Sequence, residues 1–200
     1  MSIYKFNYPI TRKSREVFLK QKGFVIWITG LSGAGKSTLA SELEKKIFAL
    51  GKLTYVLDGD NVRSSLNNDL GFSNSDRFEN IRRVAEVSKI LLDLGVIVIV
   101  AVISPEKIQR DFARKTISKN KFIEVYLETS LELCQKRDQK KLYEKAKNGT
   151  ISNMTGISNL YETPTDPNIV IKGTLKTENQ VQVIFNYLSR NKIFYTKVSR

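Results

Sequence analysis

Apolar, β-branched residues gather in four short runs, at 24–29 (FVIWIT), 53–57 (LTYVL), 96–103 (VIVIVAVI) and 122–127 (FIEVYL). Each is followed by a polar or glycine-containing turn and then by a stretch of helical pattern. Strands alternating with helices predict a parallel sheet covered on both faces. The helical stretches are 36–50, 76–94, 105–118, 130–137 and 177–189, and 169–171 reads as a short fifth strand before the last of them. Start signals support these limits: Ser75 is placed to cap the second helix, Pro105 to take the first helical position after Ser104, and Thr129 or Ser130 to open the fourth. Residues 138–167 differ. They open with basic residues, among them Lys140, Lys141, Lys145 and Lys147, then carry Gly149, Gly156, Pro164 and Pro167 with no sustained periodicity. Long irregular segments inside compact domains usually serve as lids or binding loops. Residues 1–22 read as an extension ahead of one domain spanning 23–200.

The chain has 200 residues, 41% of them hydrophobic, which suits one globular domain with its own core and excludes a disordered chain. The longest apolar run, 96–103, has eight residues, well short of the roughly 20 that a membrane-crossing helix needs. Residues 1–22 contain no apolar stretch of the secretory kind, so a cytoplasmic location is expected. A single cysteine and the absence of histidine exclude disulfide scaffolds, Cys/His zinc sites and every catalytic triad that needs an imidazole. Proton acceptors must therefore be carboxylates, amines or water. The net charge of +13 attracts anions in general, without choosing among nucleotides, nucleic acid and an acidic membrane surface.

The choice falls to the motifs. After the first strand stands Gly30-Leu31-Ser32-Gly33-Ala34-Gly35-Lys36-Ser37-Thr38, a full match to G-x-x-x-x-G-K-[ST] between strand and helix. The glycines let the backbone curl so that its N–H groups point at phosphate oxygens. Lys36 is expected to reach the β- and γ-phosphates, Ser37 to ligate Mg²⁺, and the start of the following helix to add to the attraction. The expected fold is a P-loop NTPase-like three-layer α/β sandwich with a parallel, roughly five-stranded sheet and a mobile lid at about 138–167. ATP and Mg²⁺ are the expected cofactors.

The second strand ends Val56-Leu57-Asp58-Gly59-Asp60-Asn61-Val62-Arg63, placing two carboxylates where open α/β sheets bind ligands. In a chain without histidine such a carboxylate is the group available to accept a hydroxyl proton or to hold a metal's water shell. Asp-Gly-Asp alone is also ordinary turn chemistry; beside an intact phosphate loop the site reading prevails. Further on, a loop carrying Phe72 leads into a helix in which Arg77 and Asn80, three apart, share a face. Arg63 and Arg77 are placed to converge on an anion and Phe72 to offer a flat surface to a base. Solvated arginines and a core phenylalanine are the bland alternatives.

Together these residues resemble the adenylylsulfate kinase (APS kinase) family. The resemblance runs from about residue 21 to 188 through GLSGAGKST, DGDNVR, LNNDLGFSNSDRFENIRR, ISP, FIEVY, RDQKKLYEKAKNG, TGI and YETPTDP. It implies transfer of the γ-phosphoryl of ATP to the 3′-hydroxyl of adenosine 5′-phosphosulfate (APS) in sulfate activation. It further implies that Asp60 orients or deprotonates that hydroxyl, with Ser37 and Asp58 on the metal side. Arg63, Arg77 and Asn80 would hold the acceptor's anionic groups with help from the Ile103–Ser104 backbone, Phe72 would stack on its adenine, and Lys140 would close over the phosphates. In the family the serine matching Ser104 can become phosphorylated, which adds it to the catalytic set. Homodimers are common there, whereas no membrane partner is implied.

The departures from the pattern cluster near the acceptor base. Met154 stands before Thr155-Gly156-Ile157 where an aromatic is usual, and Lys147, Ser158 and Glu106 also differ. Methionine contacts a base through a polarizable sulfur without a π-face. A related kinase acting on another activated nucleotide, such as a cytidine diphosphate derivative, is therefore the first alternative. A nucleic-acid-binding protein is the second, suggested by the net charge and by Arg190, Lys192, Lys197 and Arg200; the chain lacks the aromatic-and-basic stripe that RNA binding uses.

Overall fold

A computed structural model describes residues 4, 6–138 and 140–193; Lys197 and Arg200 lie outside the described residues. The chain runs α1 (Arg12–Phe18), β1 (Phe24–Thr29), α2 (Lys36–Ala49), β2 (Thr54–Asp58), α3 (Gly59–Arg63), α4 (Asn74–Asp93) and β3 (Ile97–Ala101). It continues with α5 (Lys107–Ile117), β4 (Phe122–Glu128), α6 (Leu131–Lys136), α7 (Leu142–Lys147), β5 (Ile169–Lys172) and α8 (Thr177–Arg190). The strands form one sheet in the order β2-β3-β1-β4-β5, with every pair parallel.

The alternation of side chains along β1 separates two cores. Ile26 and Ile28 pack with Leu39, Leu43, Ile47, Ile184 and Leu188 on one face, while Val25 and Trp27 pack with Ile81, Val84, Ala85, Val98 and Val100 on the other. Both faces of the central strand are thus dry, which accounts for its unbroken apolar run. Register sets the functional edge: Ile28 of β1 and Asp58 of β2 both pair with Ala101 of β3, so the turns that follow these three strands emerge side by side.

Several boundaries differ from the pattern. Ser73, not Ser75, caps α4: its hydroxyl accepts from the Asp76 N–H at 3.1 Å while the Asp76 carboxylate accepts from the Ser73 N–H at 3.3 Å, a reciprocal capping box two residues earlier. Pro105 lies outside α5, which begins at Lys107 with Glu106 as its cap. The Pro105 carbonyl instead accepts from the Glu162 N–H at 2.9 Å and from Arg110 at 3.1 Å, which holds that residue in the turn. The third strand ends at Ala101 rather than 103, because the Thr29 hydroxyl takes the Ile103 carbonyl at 2.5 Å and Ser104 adopts φ +40°. The second strand starts at Thr54, so Asp58 is its last residue. α1, α3 and α7, of five to seven residues, are too short to show a helical period. The segment before β1 is tied to the sheet: the Gln21 amide donates to the Leu53 and Gly95 carbonyls at 3.0 and 2.7 Å and accepts from the Leu53 N–H at 2.8 Å.

Candidate active site

The loop from Gly30 to Gly35 leaves the carboxyl end of β1 and enters α2. Gly33 (φ +72°) and Gly35 (φ +103°) occupy left-handed backbone that other residues adopt only with strain. A Cβ on Gly33 would also sit 2.8 Å from the Cys134 carbonyl oxygen, so the first helical turn after β4 presses on the loop from behind. The buried Lys36 ammonium donates to the Gly30 and Leu31 carbonyls at 2.9 and 2.8 Å and so arches over the loop. Burial pushes its pKa down to about 8, against the raising influence of Cys134, Asp58 and Asp60. One residue on, the Ser37 hydroxyl donates to the Asp58 carboxylate at 2.5 Å. A hydroxyl and a carboxylate in contact beside a phosphate loop are hard oxygen donors of the kind Mg²⁺ takes along with water and phosphate oxygens.

Asp58 also caps α3 by accepting from the Asp60 N–H at 3.0 Å, and this short helix turns Asp60 out to solvent and carries Arg63 one turn further. The Asp60 carboxylate pairs with Lys140 from the basic segment. Arg63 donates to the Gly71 carbonyl at 2.9 Å, and its guanidinium carbon lies 4.5 Å from the centre of the Phe72 ring. Arg77 sits 5.7 Å from the same ring and donates to the Phe72 carbonyl at 3.1 Å and to the Asn153 carbonyl. Burial lowers the pKa of both arginines, and Arg63 lowers that of Arg77 further. Among the described residues neither guanidinium forms an ion pair with a carboxylate. Asp60 and Asp76 act on Arg63, and Glu106 on Arg77, only at longer range, so these two adjacent, partly desolvated cations suit an anionic ligand. Asn80 is buried beneath it and accepts from the Asn67 amide at 2.9 Å, while the Phe72 ring remains half exposed.

Lys36, Ser37, Asp58, Asp60 and Lys140 thus meet at one end of the sheet, with Arg63, Phe72 and Arg77 beside them. Three expected residues are placed otherwise. Ser104 is buried, and its hydroxyl accepts from the Trp27 indole N–H at 3.1 Å, so it faces the interior rather than a reacting phosphate. Met154 belongs to the core cluster that includes Leu39 and Leu43, and its carbonyl accepts from the amides of Ile157, Ser158 and Asn159. Thr155 is likewise buried, with its hydroxyl unpartnered among the described residues. Ile103 offers its carbonyl to Thr29, while its amide and that of Ser104 carry no hydrogen bond among the described residues.

Sequence reasoning passed over the residues that brace these groups. The Arg110 guanidinium holds the Ser104 and Pro105 carbonyls and pairs with the buried Glu124 at 3.1 Å. Tyr161 stacks on Tyr126 and shares a 2.9 Å hydrogen bond with the Thr29 hydroxyl. On α7, Tyr143 donates to the Ser32 carbonyl. For the tyrosines the one signal in the chain is the presence of large aromatics inside otherwise polar stretches; Arg110 gives none.

Comparison with known proteins gives these features a context. The family described as adenylylsulphate kinase matches residues 22–172. The adenylyl-sulfate kinase of Clostridium acetobutylicum is 53% identical over 185 residues, covering 92% of each chain. That of Escherichia coli K12 is 45% identical over 187 residues, 94% of this chain and 93% of the relative. Among solved structures, the Mycobacterium tuberculosis APS kinase CysC in complex with AMPPNP and APS superposes with a TM-score of 0.82 at 42% identity, covering 84% of this chain and 99% of the other.

Proposed function

We propose, from the premise that this chain belongs to the adenylylsulphate kinase family, that it transfers the γ-phosphoryl of ATP to the 3′-hydroxyl of APS, giving 3′-phosphoadenosine 5′-phosphosulfate. The observation that carries the acceptor is the pair Arg63 and Arg77, partly buried, flanking one exposed ring and forming no close ion pair among the described residues. A nucleotide with an anionic 5′ group supplies both a close partner for the two guanidiniums and a base for Phe72.

The residues divide the work as follows. The loop amides from Gly30 to Gly35 and the Lys36 ammonium hold the ATP phosphates; the lysine exchanges its carbonyl partners for phosphate oxygens and regains full charge in doing so. Ser37 and Asp58 would hold Mg²⁺, which would supply positive charge against the phosphates of ATP. Asp60 orients the acceptor hydroxyl and accepts its proton as the phosphoryl group transfers. Lys140 leaves Asp60 for the anionic substrates as they fill the site. Its ion pair with Asp60 joins two largely exposed side chains, a contact worth at most about 1 kcal/mol and easily exchanged. Arg63, Arg77 and Asn80 fix the acceptor, while the Ile103 and Ser104 amides face it from the third strand's turn. Residues 138–167 act as a lid that keeps water from competing for the phosphoryl group.

The alternative acceptor rests on Met154, which packs in the core cluster next to Asn153, whose carbonyl Arg77 holds. We further assign the enzyme to the cytoplasm, where ATP is supplied, and to a homodimer. Exposed Phe6, Tyr8, Ile10 and Phe18 support the latter, and sedimentation velocity tests it. The deciding experiment for the acceptor is a coupled ADP-release assay comparing APS with 5′-diphosphate derivatives of cytidine, uridine, guanosine and adenosine. APS is expected to lead in kcat/KM. A cytidine compound ahead by more than about tenfold, roughly 1.4 kcal/mol of differential transition-state binding, would overturn the assignment.

A further inference from the structure

The basic segment contributes one side chain that reaches beneath the site rather than over it. Tyr143 stands in the first turn of α7, surrounded in sequence by Lys140, Lys141, Lys145 and Lys147, yet its ring is 2% exposed and belongs to the core that holds β1 and α2. Its hydroxyl donates to the Ser32 carbonyl at 2.9 Å. Ser32 is the third residue of the phosphate loop, so this bond grips the Ser32–Gly33 peptide.

The consequence follows from peptide geometry. In a trans peptide the C=O of one residue and the N–H of the next point in opposite directions. A Ser32 carbonyl held outward against Tyr143 turns the Gly33 N–H toward the inside of the loop, where among the described residues it has no acceptor. Gly33 is the residue least able to hold that orientation alone. Its φ of +72° and missing side chain make rotation of the adjoining peptide cheap, and phosphate cradles depend on successive N–H groups keeping one direction. The Cys134 carbonyl fills the space behind the Gly33 Cα, so the helix after β4 and the Tyr143 hydroxyl together back the loop. Burial raises the phenol's pKa well above its ordinary value, which keeps it a donor at any pH of assay.

We infer that Tyr143 is a positioning residue for the nucleotide: its hydroxyl sets the Ser32–Gly33 peptide so that the Gly33 N–H faces the incoming phosphates, and the basic segment thereby shapes the donor site from below. The inference rests on ATP binding at this loop. The arrangement gives the 138–167 segment a second attachment to the site besides Lys140, at the donor rather than the acceptor.

Tyr143→Phe removes only the hydroxyl and keeps the packed ring. It should raise KM for ATP and Kd for AMPPNP about three- to tenfold, the range expected for one neutral hydrogen bond. KM for APS should stay within twofold and the thermal midpoint should hold nearly constant; a merely structural role would instead lower the midpoint without separating the two KM values. An AMPPNP affinity equal to wild type, or equal rises in both KM values, would overturn the inference. A measurement free of turnover accompanies it. In an ¹⁵N-labelled protein without nucleotide, the Gly33 amide resonance should be single and sharp in the wild type and broadened or doubled in Tyr143→Phe, and a sharp, unshifted resonance in the variant would equally overturn it. Failure of the wild type to bind AMPPNP would remove the underlying reading and the inference together, whereas wild-type binding with an indifferent variant removes the inference alone.

Discussion

The donor and acceptor halves of the site share one sheet edge but are held by different means. On the donor side the groups are braced from behind by the core: the buried Lys36 lies against loop carbonyls, the exposed Gly33 against Cys134, and the half-buried Ser32 against Tyr143. On the acceptor side Arg77 and Asn80 are buried, but Asp60 with Lys140 and Arg63 over Phe72 are held by contacts open to water. A buried and braced group is ready before its ligand arrives, whereas an exposed pair is exchanged at small cost when an anion enters. The donor half is therefore largely preformed, and the acceptor half completes itself on binding.

The largest effect should come from the preformed half. Lys36→Ala removes the charge set against the transferring group in a site that offers no mobile substitute, and phosphoryl transfer depends on such placed charge. Turnover should fall by more than about 10³-fold in the coupled assay. Rescue of a substantial fraction by the neighbouring lysines would show that the donor half is as adaptable as the acceptor half.

Asp60→Asn comes next. It should lower kcat by about 10²-fold, the scale of a lost general base, with AMPPNP affinity measured by calorimetry near wild type. Because its ion pair is exposed, the thermal midpoint should scarcely move. Near-normal turnover would withdraw the assigned role, and a large fall in nucleotide affinity would dissolve the division between the halves.

This division also explains what could be read in the chain. The phosphate loop, Asp58, Asp60, Arg63, Phe72, Arg77 and Asn80 were legible because each lies in a short contiguous block whose spacing fixes its place at a strand end or on a helix. The five parallel strands were legible from their apolar runs. Tyr143, Arg110 and Tyr161 were not, because their roles depend on partners 111, 6 and 132 residues away in sequence or on carbonyls that any residue would supply. The side-chain directions of Ser104 and Met154 were not legible for a related reason. Both stand in motifs that adjoin the site, but the φ of +40° at Ser104 and the tight turn at Met154 direct their side chains into the interior, and local sequence does not encode that choice.

The smallest predicted effect concerns the outer support of the acceptor half. On α4, Glu79 accepts from Arg82 at 2.6 Å and from Arg83 at 2.8 Å, and Arg83 grips Asp69 through two bonds, tying the segment before Phe72 to the helix that carries Arg77 and Asn80. The hydrogen bond from Arg82, followed by that from Arg83, pushes the Glu79 pKa down from 4.5 to about 2. A folded-state value below the unfolded one means that the stabilisation is complete above about pH 4.5 and fades as the pH falls from there through about 2. The pair is screened by solvent, so Glu79→Gln should lower the thermal midpoint by only about 1–3 °C near neutrality. The difference between wild type and variant should narrow steadily in scanning calorimetry as the pH is taken toward 2, and it should shrink with added salt at neutral pH. A gap that stays constant across that acid range would mean that α4 is held by its buried face alone, and the acceptor half would then share the core support that distinguishes the donor half.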